Sequence, residues 1–139
     1  MRVMERECGE DFPKFLGALL KYLSWHNRGR YQYIIENCYI SVENAIKFFD
    51  QDSTILIFLG YSELTAEEAF QNYRENEKET DWTKEHSDEN MLNHAREWVE
   101  KSKVFKRDCE KFGVRYVDVS WDREKVLKEL VDELVEELK

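Results

Sequence analysis

The sequence has few of the residues that interrupt regular structure or cross-link a chain. Its 139 residues include five glycines, one proline and three cysteines. Scarcity of glycine and proline favours long regular elements with short connections. Cys8, Cys38 and Cys109 are odd in number and widely spaced, which argues against a disulfide framework and a cysteine-based zinc site. We therefore expect free thiols.

Long apolar runs and a surplus of basic charge are also lacking. No stretch approaches the roughly 20 apolar residues of a membrane span, and the first residues show no signal-peptide pattern. We expect a cytoplasmic protein that does not bind membranes. Thirty acidic residues against 21 basic ones give a net charge of −9, which disfavours nucleic acid as a partner. A local basic patch could still bind one small phosphorylated ligand.

The motifs of several common catalytic sites are absent. The three histidines have no short metal-binding spacing, and there is no Gly-x-Ser-x-Gly elbow. We therefore expect no metal site. The five glycines stand apart, and nothing matches Gly-x-x-x-x-Gly-Lys-Ser/Thr. These 139 residues thus contain no phosphate-binding loop of the P-loop type.

The sequence does contain enough apolar residues to fill the core of one domain, since 42% of its residues are hydrophobic and 14% aromatic. We predict a single domain over residues 1–139. Apolar periodicity predicts helices over residues 12–25, 42–49, 66–78, 88–111 and 122–138. Strands are predicted over residues 31–40, 54–59 and 114–119. The nearly continuous apolar run of the second strand indicates burial on both faces. This alternation predicts an α/β fold in which three main parallel strands are flanked by helices in three layers.

Candidate site residues lie where parallel strands end, because ligands of such sheets bind beyond the carboxyl ends of the strands. Glu36 interrupts an apolar run in the first predicted strand. Its carboxylate could orient a substrate hydroxyl or hold a water on Mg²⁺; the alternative is a charge that leaves the sheet at its end. Residues 60–62 and 120–123 follow the other two strands.

A second candidate group is cationic, as phosphoryl transfer requires. Its members lie on two neighbouring helices and the loop between them: Arg74, Lys78, Lys84, Arg96, Lys101 and Lys103. The alternative is a solvated helix face with weak ion pairs, since glutamates alternate with these cations.

Several segments, taken in order, resemble the C-terminal two-thirds of small P-loop kinases of the adenylate- and shikimate-kinase-like kind. The resemblance covers about Asp11 to Leu134, and it rests on order and spacing rather than on one decisive motif. The segments are Tyr33-Ile34-Ile35-Glu36, Ile40-Ser41-x-Glu43-Asn44-Ala45, Ile57-Phe58-Leu59-Gly60-Tyr61-x-x-Leu64-Thr65-x-Glu67-Glu68, Asn72-Tyr73-Arg74, Asp81-Trp82-Thr83, Ser87-Asp88-Glu89, Arg96-Glu97-Trp98, Tyr116-Val117-Asp118-Val119-Ser120 and Asp122-Arg123-Glu124.

The resemblance implies roles for particular residues. Residues 74–87 would form the mobile lid, and Arg74 and Arg96 would touch the transferred phosphates. Glu36 would lie at the end of the strand beside the P-loop strand. Residues 120–123, with Ser120, Asp122 and Arg123, would form the loop beside the nucleotide base. ATP and Mg²⁺ are the implied cofactors.

The sequence departs from that family because it lacks the phosphate-binding loop. In the family that loop supplies the backbone cradle, the phosphate lysine and the Mg²⁺ hydroxyl. We therefore expect a degenerate or truncated P-loop-kinase-like protein that retains at most a weak nucleotide or phosphate site and does not transfer phosphate by itself. In that family the missing first strand lies between the strands predicted over residues 31–40 and 54–59. An unpaired strand edge favours association, so we expect a homodimer.

Three alternatives stay open. The chain could be a fragment of a longer ATP-dependent small-molecule kinase, or it could act with a separate chain that carries the loop. It could also be a non-enzymatic acidic interaction or oligomerisation module, in which the amphipathic last helix, with Leu130 and Leu134, recognises a partner instead of covering the protein's own sheet.

Overall fold

The computed structural model describes residues 11–27, 33–38, 40–50 and 52–138. These residues form an α/β protein that is mostly helical, with a small parallel sheet of two strands. The chain divides into two compact units, Met1–Leu56 and Ile57–Lys139. The prediction of one domain stays a prediction.

The first unit contains two helices, α1 (Asp11–Asn27) and α2 (Val42–Phe48), at the places the sequence predicts. Leu16 of α1 and Val42 of α2 are buried. Ser41 caps α2, because its side chain accepts a hydrogen bond from Asn44 N at 3.2 Å.

The strand predicted over residues 31–40 is not confirmed. Residues 33–38 and 40 form no strand, and the remaining residues of that segment lie outside the described ranges. Tyr33 is 43% exposed and Ile34 is fully exposed. A β-rich segment becomes a strand only when a neighbouring strand takes up its backbone hydrogen bonds, and the described part of this unit contains none. The three-stranded parallel sheet is therefore not confirmed either.

The second unit contains the sheet and the longer helices. Its elements in chain order are β1 (Ile57–Gly60), α3 (Ala66–Glu75), a 3₁₀ turn (Trp82–Glu85), α4 (Asp88–Phe112), β2 (Arg115–Asp118) and α5 (Arg123–Glu137).

The two strands run parallel, with Ile57 opposite Arg115 and Gly60 opposite Asp118. One face of the sheet packs on α4, where the rings of Phe58 and Phe105 lie 5.1 Å apart between centroids. The other face is only partly covered, since Leu59 is 47% exposed. The prediction that this strand is buried on both faces is therefore wrong at Leu59.

Local hydrogen bonds fix the helix ends around the sheet. Thr65 and Glu68 form a capping box at the start of α3, and the bond from the Thr65 backbone lowers the pKa of Glu68. Ser87 accepts from Asn90 N at 3.3 Å and caps α4. Gly113 ends α4 with a φ of 69°, a left-handed conformation that favours glycine.

One core cluster of the second unit lies between α3, α4 and the turn after β1. Leu64, Ala69, Ala95 and Val99 form it, and Tyr61, Phe70 and Tyr73 pack against it. Of the cysteines, Cys38 is exposed and Cys109 buried, both as free thiols; Cys8 lies outside the described residues. No helix in the described ranges is long and apolar enough to cross a membrane.

Candidate site at the carboxyl ends of the two strands

Asp118, the last residue of β2, connects the turns that follow both strands. Its Oδ2 accepts hydrogen bonds from Ser62 N at 3.0 Å and Ser62 Oγ at 2.5 Å. The Tyr116 hydroxyl donates to the same oxygen at 3.3 Å, and Ser120 N donates to Oδ1 at 2.9 Å. One carboxylate thus holds the turn after β1 against the turn after β2.

The environment of Asp118 favours its ionised form. Burial alone would raise the pKa of this carboxyl, but the hydrogen bonds from Ser120 and Ser62 outweigh burial and hold the pKa below its ordinary value. A carboxylate has room for about four hydrogen bonds, and Asp118 accepts four. Asp118 therefore positions the two turns and has little capacity left for a metal ion.

A second bond joins the same two turns. Ser120 is 7% exposed, and its Oγ accepts from Glu63 N at 3.2 Å. The backbone of residues 60–63 and of residues 118–120 is thereby held in one arrangement before any ligand arrives.

Gly60 permits the close approach on which this site depends. A Cβ at this position would lie 2.5 Å from the Tyr116 hydroxyl oxygen and 2.9 Å from Cβ and Oγ of Ser102. The Tyr116 hydroxyl reaches Asp118 across that space. Burial raises the pKa of Tyr116 to about 12, so its hydroxyl remains a donor at neutral pH.

Two further tyrosines border the turn after β1. The hydroxyl groups of Tyr61 and Tyr73 are hydrogen-bonded to each other, and the rings meet edge to face at 6.4 Å between centroids. Burial raises the pKa of both phenols, whereas the positive charge of Arg123 acts in the opposite direction. Arg123 therefore lies close enough to this pair to influence it.

Of the three residues predicted for the base loop, Ser120 and Asp122 lie between β2 and α5, and Arg123 is the first residue of α5. Ser120 is buried in the turn contact, whereas Asp122 and Arg123 are exposed. Asp122 adopts a left-handed conformation with a φ of 49°, which an aspartate tolerates better than most residues. Trp121 beside it is 56% exposed, so this loop presents an aromatic ring and a guanidinium to solvent.

Arg74 occupies a separate network at the connection between α3 and α4. Its guanidinium donates to Glu77 Oε1 at 2.8 Å and to Asp88 Oδ1 at 2.7 and 3.0 Å. It also donates to the backbone oxygens of Thr83 and His86 at 3.1 and 2.9 Å. This arginine therefore anchors residues 76–87, and it would have to leave these partners to bind a phosphate.

The other two predicted residues are not joined to this network. Arg96 lies on the exposed side of α4, where it donates to Asn93 Oδ1 at 2.9 Å. It is eight residues along the helix from Asp88, or about 12 Å. Glu36 is exposed in the first unit. Ser120, Asp122 and Arg123 are thus neighbours at the end of β2 and the start of α5, whereas Arg74 and Arg96 lie apart on α3 and α4 and Glu36 lies in the first unit.

Sequence reasoning missed the residues that hold the site together, namely Asp118, Tyr73 and Tyr116. A usable signal for Asp118 was present, because a carboxylate near the carboxyl end of a predicted parallel strand lies close to the ligand-binding edge. No comparable signal identifies Tyr73, because it meets Tyr61 only through the packing of α3.

The described residues do not fit a protein-held Mg²⁺ at this edge. Asp118 already accepts four hydrogen bonds, and the described ranges contain no group of three or more His, Cys, Asp and Glu side chains arranged to hold a metal ion.

Comparisons with protein-family models, with curated proteins and with solved structures found no match to this chain.

Proposed function

We propose that this chain is a P-loop-kinase-like protein that binds a nucleotide weakly at the carboxyl ends of β1 and β2 and does not transfer phosphate by itself. The observation that carries the proposal is the Asp118 network, which joins two turns at the edge of a parallel sheet, where ligands of such sheets bind. The finer three-layer, three-stranded architecture belongs to the same proposal.

The chemistry of the exposed loop fits a nucleotide. The Trp121 ring offers a face on which a base can stack, and the Arg123 guanidinium can pair with a phosphate. The chain has a net charge of −9, which disfavours a long polyanion as the ligand and favours a small one. Weak binding follows, because the chain supplies neither the glycine-rich cradle nor the phosphate lysine of a P-loop. Mg²⁺ would then reach the site bound to the phosphates of ATP and not held by protein side chains.

Thermal unfolding with ATP, ADP and AMP tests this proposal. A ligand that binds only the folded state stabilises it by about 1.4 kcal/mol at ten times its dissociation constant. We expect a rise in Tm at millimolar nucleotide that is lost in Trp121→Ala and Arg123→Ala. Arg107→Ala is the matched control, because Arg107 is an exposed arginine of α4. Absence of a shift, or an equal shift in all variants, would refute the site.

A second candidate function is self-association into a homodimer, favoured by the outer edge of β1. Gly60 O accepts from Val119 N at 2.7 Å, so the alternate residue Leu59 directs its N–H and C=O to the opposite edge. No strand among the described residues pairs with that edge. An unpaired edge is a template for another chain.

Sedimentation at increasing protein concentration tests the homodimer. We expect a dimer that Leu59→Lys converts to a monomer, because a charge on an edge strand opposes pairing. Val104→Lys is the matched control, since Val104 is 40% exposed on α4. A wild-type protein that stays monomeric at all concentrations contradicts this candidate and leaves the nucleotide site untouched.

A further inference from the structure

Two hydrogen-bond donors at the carboxyl ends of the strands have no acceptor among the residues that the structure describes. The first belongs to the tyrosine pair. The hydroxyls of Tyr61 and Tyr73 are hydrogen-bonded to each other, and within the described ranges neither has another hydrogen-bond partner. Each phenol carries a proton at neutral pH, and one bond between two hydroxyls uses only one of the two protons. The second proton is therefore available to a ligand.

The second donor is the guanidinium of Arg123, the first residue of α5. This side chain is exposed, and no hydrogen bond or ion pair joins its guanidinium to any residue in the described part of the chain. Every other arginine in that part has such a partner, namely Arg74, Arg96, Arg107 and Arg115. Acidic residues outnumber basic ones in this sequence, yet no carboxylate in the described ranges neutralises Arg123.

These two donors lie at the same end of the sheet. Tyr61 directly follows Gly60, the last residue of β1, and Arg123 begins the helix that follows β2. Asp118 at the end of β2 holds Ser62, the residue after Tyr61. The positive charge of Arg123 also opposes the rise in the pKa of both phenols. A ligand at this end of the sheet therefore meets the phenol proton and the guanidinium together.

Packing holds the tyrosine pair in position before a ligand arrives. The two rings meet edge to face, with 6.4 Å between their centroids. Both rings pack against the same cluster, formed by Leu64, Ala69, Ala95 and Val99. A donor on a ring that is already fixed loses little conformational freedom when a ligand accepts from it.

We propose that a phosphate of the nucleotide binds between Arg123 and the Tyr61–Tyr73 pair, and that the site thereby selects phosphorylated nucleosides over unphosphorylated ones. A phosphate oxygen accepts from a phenol and its charge neutralises a guanidinium, whereas a ribose hydroxyl would leave Arg123 without a counter-charge. This inference rests on the nucleotide site proposed above. It adds a discrimination that Trp121 does not supply, because a base stacks on an indole ring with or without a phosphate.

Binding of AMP and of adenosine to the full chain, followed at the indole N–H of Trp121, tests the inference. We expect AMP to bind at least about tenfold more tightly than adenosine. The preference should shrink as salt is raised, since salt screens exposed charges. Equal affinities would overturn the phosphate subsite and leave the base contact of the proposed function in place. Failure of both ligands to bind would refute the proposed function and this inference together.

Variants assign the preference to the two donors. Tyr61→Phe with Tyr73→Phe removes both hydroxyls and keeps the rings, so AMP should bind about three- to tenfold more weakly while adenosine binds as before. Tyr33→Phe is the matched control, because Tyr33 lies in the first unit and is 43% exposed. Arg123→Gln changes an exposed side chain without touching the tyrosine packing, and it should also weaken AMP alone. An AMP preference that persists unchanged in Arg123→Gln, or in the folded tyrosine double variant, would overturn the inference.

Discussion

Asp118 and Arg74 are both ionised side chains surrounded by hydrogen-bond partners, but they hold different kinds of structure. Asp118 gathers four donors from the ends of two paired strands. Arg74 gathers four acceptor groups from one connection, and one of its partners, Asp88, is 80% exposed at the side chain. The first network shapes a sheet edge with Trp121 and Arg123 beside it, whereas the second fastens a loop.

The two networks show that a charged residue in a candidate site can position its neighbours instead of binding a ligand. A charge whose hydrogen-bonding capacity is used by the protein positions its neighbours, and the groups that remain available to a ligand are those neighbours. On that reasoning the candidate ligand groups are Trp121 and Arg123 rather than Asp118 or Arg74.

Removal of the Asp118 carboxylate should produce the largest effect. Asp118→Ala leaves two backbone N–H groups and two hydroxyls without their acceptor, and we expect a loss of about 2–3 kcal/mol in the free energy of unfolding. Asp118→Asn keeps one oxygen acceptor and should lose less. Urea unfolding measures both, and equal stability of the alanine variant and the wild type would contradict the positioning role.

Removal of the Arg74 guanidinium should have a smaller and more local effect. Arg74→Ala releases residues 76–87, so we expect faster hydrogen exchange and proteolysis there with little change in the strands. Arg74→Lys cannot reproduce the planar set of donors and should behave similarly. If Arg74→Ala lowers the free energy of unfolding as much as Asp118→Ala does, the two networks do not differ in the way proposed.

Acid should weaken the Asp118 network in a predictable pH range. The folded-state pKa of Asp118 lies below its ordinary value of 3.8. Its contribution to stability is therefore complete above that value and is lost as the pH falls through the folded-state pKa. The stability difference between the wild type and Asp118→Asn should accordingly narrow below pH about 4. A difference that stays constant down to the lowest pH at which both variants fold would count against a charge-dependent network.

The smallest effect concerns the tyrosine pair. Tyr73→Phe removes one partner of the hydroxyl contact with Tyr61, and we expect a loss of about 1 kcal/mol in the free energy of unfolding. Phe70→Leu is a useful comparison, because it alters the same cluster without a hydroxyl. If Tyr73→Phe leaves the urea midpoint unchanged, the hydroxyl contact does not stabilise this turn.

Much of the helical structure could be predicted from the sequence because its signals are local. Thr65 and Glu68 define a capping box, Ser41 and Ser87 lie directly before apolar periodic segments, and Gly113 ends the longest helix. Each of these features depends on neighbours within a few residues, and the structure contains all of them.

The strands could be predicted only in part, because a strand depends on its partner. The segments around Ile34 and around Phe58 are similarly rich in apolar and aromatic residues, yet within the described ranges only the segment around Phe58 pairs with another strand. The candidate site shows the same limit. Its loop residues follow a predicted strand and could be named in advance, whereas the contacts of Asp118 with Ser62 span 56 positions of sequence and appear only in the fold.

The central claim is that the carboxyl ends of β1 and β2 bind a nucleotide, and an amide chemical-shift titration with ATP tests it most directly. We predict saturable shifts confined to residues 60–63 and 118–123 and to the indole N–H of Trp121, with none at Arg74 or Arg96. No shift at millimolar ATP, or shifts centred on residues 74–87 instead, would contradict the claim.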